Sequence, residues 1–163
     1  MSYLPEKIRN ICIVGHQGSG KTSLVESLAY KSGLLKRKGS VEEKNTLSDF
    51  LTEEKKRQSS LSSSIVPLEH QGYKINLIDT PGNDDFLFET ISITRLVKGA
   101  VLVIDASKGV QIGTIKCFHL LRKRGVPIFL FLNKMDKENV DFKSLYEDIR
   151  AKLDSKKVVP FCY

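Results

Sequence analysis

The chain has 163 residues and a formal net charge of +7; 40% of its residues are hydrophobic and 28% are charged. This length accommodates one domain around a single core, and the composition excludes a disordered or fibrous chain. The longest apolar runs, such as 127–132, are much shorter than the roughly 18 residues of a membrane-spanning helix, and the N-terminus shows no secretory signal. We therefore expect a monomeric cytoplasmic domain that contacts neither a membrane nor DNA.

Strands and helices alternate along the chain, judged from apolar periodicity and from turn residues. One hairpin, in which two strands follow each other directly, interrupts the alternation. This order predicts an α/β fold with a mostly parallel, doubly wound sheet and one antiparallel edge strand. The predicted elements are a strand at 8–14, a helix that carries 24–29 and stops near 32, hairpin strands at 64–68 and 73–78, a helix at about 84–98, a strand at 100–104, a helix that carries 112–121, a strand at 127–132 and a helix that carries 142–153.

A long connection at 34–61 separates the first helix from the hairpin. It is rich in charges and serines and has no sustained period, although 48–57 is a candidate short helix. Connections of this length are uncommon in compact domains unless they have a function. The segment is therefore a candidate switch or binding element. The positive net charge would suit a polyanionic partner such as RNA, but lysine-rich proteins without such a partner are also common.

A glycine-rich turn between the first strand and the first helix fits the phosphate-loop pattern G-x-x-x-x-G-K-[ST]. Its backbone N–H groups can surround phosphate oxygens, and the N-terminus of the following helix adds positive potential. Lys21 is expected to reach the β- and γ-phosphates, and Thr22 to place its hydroxyl on Mg²⁺. A plain glycine turn would not explain Lys21 and Thr22 in this register. The residues of the motif are Gly15, His16, Gln17, Gly18, Ser19, Gly20, Lys21 and Thr22.

Asp79, Thr80, Pro81 and Gly82 follow the second strand of the hairpin. In that position Asp79 supplies a carboxylate near Mg²⁺, and the N–H of Gly82 can meet the γ-phosphate. In isolation the same residues would be an ordinary turn between a strand and a helix. Their place downstream of a phosphate loop favours the nucleotide-binding interpretation.

Asn133, Lys134, Met135 and Asp136 follow the strand at 127–132, which we expect to be buried, at the carboxyl edge of the predicted sheet, where doubly wound folds bind ligands. The carboxylate of Asp136 can accept hydrogen bonds from N1–H and the 2-amino group of guanine. Adenine lacks that amino group and would leave the acceptor unpaired. Two alternatives remain open: a lysine-rich surface turn, and an ATP-using phosphate-loop kinase or ATPase in which these residues are coincidental.

In this order the three motifs resemble those of guanine-nucleotide-binding proteins, which have the P-loop NTPase fold. Gly15-His16, the long connection and the residues 57–60 are similar to those of translational GTPases. Within that class, the run 72–82 is most similar to elongation factor G and its paralogues. The resemblance covers essentially the whole chain. It implies a GTP-hydrolysing G domain over 1–163 that uses GTP or GDP together with Mg²⁺.

The resemblance also implies that Thr22, Asp79 and Ser60 are magnesium ligands, since Ser60 matches the switch I threonine of the family. Serine keeps the hydroxyl but loses the methyl group that stiffens threonine, so this switch is expected to close less firmly. The alternative is that Ser60 is only one member of the serine-rich tract 59–64.

Three residues are catalytic candidates by the same resemblance: Lys21, Gly82 and Asn83. Translational GTPases usually carry, at the position of Asn83, a histidine that orients the attacking water. Asparagine cannot take up a proton, but it can donate and accept hydrogen bonds. We therefore expect slow GTP hydrolysis.

By the same resemblance the domain is expected to be incomplete at its C-terminal end. The last base-binding loop, the final helix and all later domains of the family do not follow Asp136 here. In the intact factor, the resemblance implies that the ribosome, through its RNA and proteins, is the partner. A non-hydrolytic, GTP-dependent module for ribosome protection or recycling remains the second alternative.

Overall fold

The computed structural model describes residues 3–40, 46–47, 62–83, 87–138, 140–153 and 158–161. A short 3-10 turn, Pro5–Lys7, leads into a sheet that is surrounded by helices. The strands are β1 (Ile8–Val14), β2 (Ser64–His70), β3 (Tyr73–Asp79), β4 (Gly99–Asp105) and β5 (Ile128–Asn133). The helices are α1 (Lys21–Lys31), α2 (Leu87–Ile93), α3 (Ile112–Lys123) and α4 (Phe142–Lys152).

The strands form one sheet in the order β2-β3-β1-β4-β5. Strand β1 pairs in parallel with β3 and β4, and β4 pairs in parallel with β5. Strand β2 runs antiparallel to β3 at the sheet edge, and the two are joined by a tight turn at Gln71 and Gly72, both with positive φ. The predicted mostly parallel sheet with one antiparallel edge strand is confirmed.

Both faces of the sheet are covered, because alternate side chains of the central strands point to opposite sides. On one face, Val25 and Ala29 of α1 pack with Ile13 and Val103. On the other face, the core contains side chains from α3 and α4. These are Cys117, Phe118, Leu121, Leu145 and Ile149, which lie together with Val14, Leu102 and Ile104. The fold is therefore doubly wound.

Helix α2 is shorter than the predicted helix at 84–98. It ends at Ile93, where the hydroxyl of Thr94 donates to the carbonyl oxygen of Ile91 at 2.7 Å and competes with continued helical bonding. The N–H of Lys98 then donates to the carbonyl oxygen of Asn10 at 3.2 Å, so the chain has already joined the sheet. The segment is helical, as its period predicted, but the helix ends at Ile93 and not at 98.

Strand β5 was expected to be buried, and that expectation is wrong. It lies at the edge of the sheet, none of its side chains is fully buried, and Phe129 is exposed. Apolar sequence alone does not distinguish an edge strand from a central one, because both can be rich in β-branched and aromatic residues.

The parallel strands β1, β3, β4 and β5 all end at the same edge of the sheet. Their last residues are Val14, Asp79, Asp105 and Asn133. The three predicted motifs therefore lie at this one edge, at the ends of β1, β3 and β5. Two other predictions, the short helix at 48–57 and the role of Ser60, fall outside the described residues. No helix in the described part of the chain is both long enough and apolar enough to cross a bilayer.

Candidate functional site

The predicted phosphate loop runs from the end of β1 to the start of α1. Gly20 is the N-cap of α1 at φ 94, a left-handed conformation that glycine adopts at little cost. Gly20 has no side chain that could cap this helix, and the N-terminus of a helix is suited to binding an anion. Gly15 passes so close to β4 that a side chain there would collide with the carbonyl oxygen of Val103. The loop is thus pressed against the sheet.

Lys21 lies across this loop in a buried position, with 7% of its surface exposed. Its Nζ donates to the carbonyl oxygens of Gly15 at 3.1 Å and His16 at 3.2 Å. Burial lowers the pKa of Lys21, and the nearby carboxylate of Asp79 partly offsets that effect. A buried ammonium group beside the N-terminus of a helix is suited to binding a phosphate.

The hydroxyl of Thr22 donates to Oδ2 of Asp79 at 2.9 Å, which joins the first and second motifs. Asp79 is itself buried at the end of β3. The next residue, Thr80, has a buried hydroxyl that donates to the carbonyl oxygen of Ile13 at 2.8 Å. The side chain of Thr80 therefore fastens the turn to β1.

Gly82 brings the second motif directly onto the phosphate loop. A Cβ atom at this position would collide with Nζ of Lys21 and would lie 2.9 Å from Cα of Gln17. Pro81 is buried beside it, and Asn83 is partly exposed. Only a residue without a side chain fits at position 82, so its backbone can approach whatever Lys21 binds.

The third motif is hydrogen-bonded to the same loop from the other side. The amide Nδ2 of Asn133 donates to the carbonyl oxygen of Ser19 at 2.9 Å, and Nζ of Lys134 donates to that of Gly18 at 2.7 Å. Lys134 adopts a positive φ of 62. The following Met135 and Asp136 are exposed. The structure thus brings Asn133 and Lys134 to the phosphate loop, with Asp136 at the surface beyond them.

Sequence reasoning missed Asp105, the buried partner of Lys134. Its Oδ2 accepts a hydrogen bond from Nζ of Lys134 at 2.7 Å, and its Oδ1 accepts from the hydroxyl of Ser107 at 2.6 Å. Burial raises the pKa of Asp105, but the hydrogen bonds from Lys134 and Ser107 outweigh it and hold the pKa below 3.8. The available signal was its position: an acidic residue ends a strand at the edge where the motifs lie.

The residues present fit a nucleotide phosphate group with a hard cation. Oγ of Ser19 is buried within the phosphate loop and has no hydrogen-bond partner among the described residues. Burying a hydroxyl without a partner is costly, which suits a position that a phosphate oxygen fills. The described residues contain no cluster of three or more histidine, cysteine or acidic side chains. The hydroxyl and carboxylate of Thr22 and Asp79 suit Mg²⁺, which takes few protein ligands and keeps phosphate and water oxygens.

Comparisons with known proteins find relatives of similar sequence. Ribosome-releasing factor 2, mitochondrial, of Pongo abelii is 42% identical over 150 residues, which are 92% of this chain and 19% of that protein. The tetracycline resistance protein TetM of Ureaplasma urealyticum is 40% identical over 153 residues, which are 94% of this chain and 24% of that protein. The chain spans about a fifth to a quarter of the length of these relatives.

Solved structures and a family model complete the comparison. A protein from Thermus thermophilus matches with a TM-score of 0.86 and 35% identity, over 90% of this chain and 22% of that one. A bacterial selenocysteine-specific elongation factor, EF-Sec, shares the fold with a TM-score of 0.74 and 24% identity, over 98% of this chain and 25% of that one. Residues 6–162 match the family model described as the elongation factor Tu GTP binding domain. Because that match covers nearly the whole chain, the chain belongs to this family, the GTP-binding domain of translational GTPases, whose members hydrolyse GTP.

Proposed function

We propose that the chain is a GTP-dependent switch that binds GTP with Mg²⁺, hydrolyses it and relaxes in the GDP state. The observation that carries this proposal is the convergence of two separate segments, 15–22 and 79–82. Lys21 bonds to the loop that contains it, Thr22 bonds to Asp79, and Gly82 lies against Lys21. A γ-phosphate bound there would contact both segments at once. Its loss on hydrolysis would release them.

Each part of the nucleotide has a proposed set of residues. Lys21 and the loop N–H groups hold the β- and γ-phosphates, and the backbone N–H of Gly82 meets the γ-phosphate. Thr22 and Asp79 hold Mg²⁺, together with Ser60 from outside the described residues. When bound, Mg²⁺ supplies charge that offsets the negative charge developing on the phosphates. Asp136 reads guanine, while Asn133 and Lys134 support the loop beneath it.

The proposed partner of the intact protein is the ribosome. A relative at 42% identity is named a ribosome-releasing factor, and the resemblance to elongation factor G supports a translocation factor. The net charge of +7 is compatible with an RNA-rich partner. A cytoplasmic location stays a prediction, because the relatives include mitochondrial proteins. A monomeric state also stays a prediction.

A second candidate function is a ribosome-binding module that does not depend on hydrolysis. The observation that favours it is Asn83, which follows Gly82 directly and cannot act as a proton acceptor. Single-turnover cleavage of GTP separates the two candidates. Slow cleavage that accelerates in an Asn83→His variant supports the switch. No cleavage by either protein, even with ribosomes present, supports the binding module.

The decisive test of the switch is calorimetric titration of the chain with GDP, GTP and ATP, with and without Mg²⁺. We expect guanine nucleotides to bind, GTP to bind more tightly with Mg²⁺, and ATP not to bind. Lys21→Met should abolish GTP binding, whereas Lys31→Met, at the exposed far end of the same helix, should leave it unchanged. ATP binding equal to that of GTP would refute the proposal.

A further inference from the structure

Gly113, the second residue of α3, lies directly against His16 of the phosphate loop. A Cβ atom at position 113 would lie 2.6 Å from Nδ1, 3.2 Å from Cα and 3.3 Å from Cβ of His16. The first distance is well inside van der Waals contact, so one side would have to move. None of the three nucleotide-binding motifs includes Gly113.

Rotation of the imidazole ring would relieve only the contact with Nδ1. The Cα and Cβ atoms of His16 do not move when its side chain rotates, and both are already close to the position that a Cβ atom at 113 would occupy. The ring is also not held by a hydrogen bond at Nδ1, which is buried without a partner in the described part of the chain. Packing against α3 therefore limits where the side chain of His16 can lie, and a larger residue at 113 would push the loop backbone.

The backbone of His16 is part of the lysine site. Its carbonyl oxygen accepts a hydrogen bond from Nζ of Lys21 at 3.2 Å and another from the N–H of Ser19 at 3.2 Å. A shift of His16 would therefore displace the group that orients Lys21. It would also disturb the turn that holds Ser19.

We propose that Gly113 is a positioning residue for nucleotide binding: the absence of a side chain there lets the phosphate loop rest against α3 in its binding conformation. This inference rests on the proposed binding of guanine nucleotides. It assigns to α3, which contributes no motif, control over the affinity of the phosphate site. Gly113 acts through His16 and Lys21 and does not itself contact the nucleotide.

The test compares Gly113→Ala with Gly99→Ala. Neither glycine has a positive φ, and a Cβ atom at Gly99 would meet nothing within 4 Å. Because the loss of one hydrogen bond to a charged group reduces affinity by about tenfold or more, Gly113→Ala should bind GDP at least about tenfold more weakly and release it faster. Gly99→Ala should bind as the unsubstituted chain does. Binding by Gly113→Ala within about twofold of the unsubstituted chain would overturn the proposal.

A double-mutant cycle with His16→Gly, which removes the ring and Cβ, shows whether the effect passes through the side chain of His16. Gly113→Ala should weaken GDP binding much less in the His16→Gly background than in the unsubstituted one, because only the contact with Cα of residue 16 remains. Equal losses in both backgrounds would contradict the proposed route. The cycle also covers poor folding of the single variant, since removal of the His16 side chain should then restore folding.

A readout without nucleotide separates this inference from the proposed function. The imidazole resonances of His16, observed by NMR in the nucleotide-free chain, should shift in Gly113→Ala and not in Gly99→Ala. If the unsubstituted chain fails to bind guanine nucleotides, the proposed function is wrong, but shifted His16 resonances would still support the contact. Unshifted resonances would refute it whatever the nucleotide result.

Discussion

Lys134 forms an ion pair with the buried carboxylate of Asp105, whereas the pair of Lys152 and Asp148 lies near the surface. The exposed fractions of the lysine and aspartate side chains are 29% and 0% in the first pair and 48% and 30% in the second. Because Lys134→Met leaves a buried carboxylate without its cation, it should lower the free energy of unfolding by about 1–3 kcal/mol. Lys152→Met should lower it by less than about 0.5 kcal/mol. Urea unfolding of the nucleotide-free chain measures both.

The loss in Lys134→Met should depend on pH in a direction that the pKa of Asp105 determines. Burial raises this pKa, but the hydrogen bonds from Lys134 and Ser107 lower it by more, so the pKa in the folded protein lies below 3.8. The stabilisation from the ionised carboxylate is therefore complete well above pH 3.8 and is lost as the pH falls through the folded pKa. The difference between the two proteins should be largest near neutral pH and should shrink in acid. A constant difference would argue against this account.

Asp136 is the residue on which base selection is predicted to depend. An aspartate accepts hydrogen bonds from the N1–H and 2-amino groups of guanine, whereas an asparagine offers a donor as well. Asp136→Asn should weaken GDP binding by about tenfold or more. It should improve binding of xanthosine diphosphate, whose base has a carbonyl group in place of the 2-amino group of guanine. Fluorescence competition with both nucleotides measures the exchange of preference. Unchanged selectivity would remove Asp136 from the base site.

Among the elements, the join between α1 and the end of β5 depends on Gly20. A Cβ atom there would collide with the side chain of Asn133, and the residue has a positive φ of 94. Gly33 also has a positive φ, 81, but a Cβ atom there would meet nothing within 4 Å. Gly33→Ala should therefore cost only the backbone strain, about 1–2 kcal/mol. Gly20→Ala should cost more and should also weaken GDP binding, as denaturation and titration of both variants would show.

Helix α4 begins at a side-chain cap, Asp141, whose Oδ2 accepts hydrogen bonds from the N–H of Ser144 at 2.8 Å and from its hydroxyl at 2.6 Å. The hydrogen bonds from Ser144 lower the pKa of Asp141 below 3.8. Asp141→Ala should lower the Tm at neutral pH, and the difference should fade as the pH drops below that value. Asp141→Asn retains a capping oxygen, so it should lose the pH dependence while keeping much of the Tm.

The elements that were predicted well are those whose signal is local. Lys21 and Thr22 stand at a fixed spacing after Gly15, and Asp79 directly ends an apolar strand. The contacts of Asp105 and Gly113 could not be predicted in this way. Asp105 contacts Lys134, and Gly113 contacts His16, only in the folded sheet. The partners are far apart in the sequence, so no local motif indicates either contact. The end of α2 was misplaced for a related reason, because pairing with β1 stopped a helix that the local period would have continued.

For the molecule as a whole, the site depends on the intact sheet, because it is assembled from the ends of β1, β3, β4 and β5. Ligand binding should therefore stabilise the entire fold against unfolding. GDP with Mg²⁺ at about 100 times its Kd should add about 2.7 kcal/mol to the free energy of unfolding. Denaturation in GDP and in ADP at equal concentration measures this gain, and we expect none from ADP. Equal gains from both would contradict guanine selection.

Asn133 and Lys134 bond to carbonyl oxygens of Ser19 and Gly18, so the strand end below the base and the loop around the phosphates form one connected unit. A ligand that orders the end of β5 should therefore also order the phosphate loop, and the reverse should hold. A guanosine fragment and a pyrophosphate fragment, added separately, should therefore help each other to bind although they share no covalent bond. By linkage the help is equal in both directions. The base and the phosphates of GTP should therefore each strengthen the binding of the other.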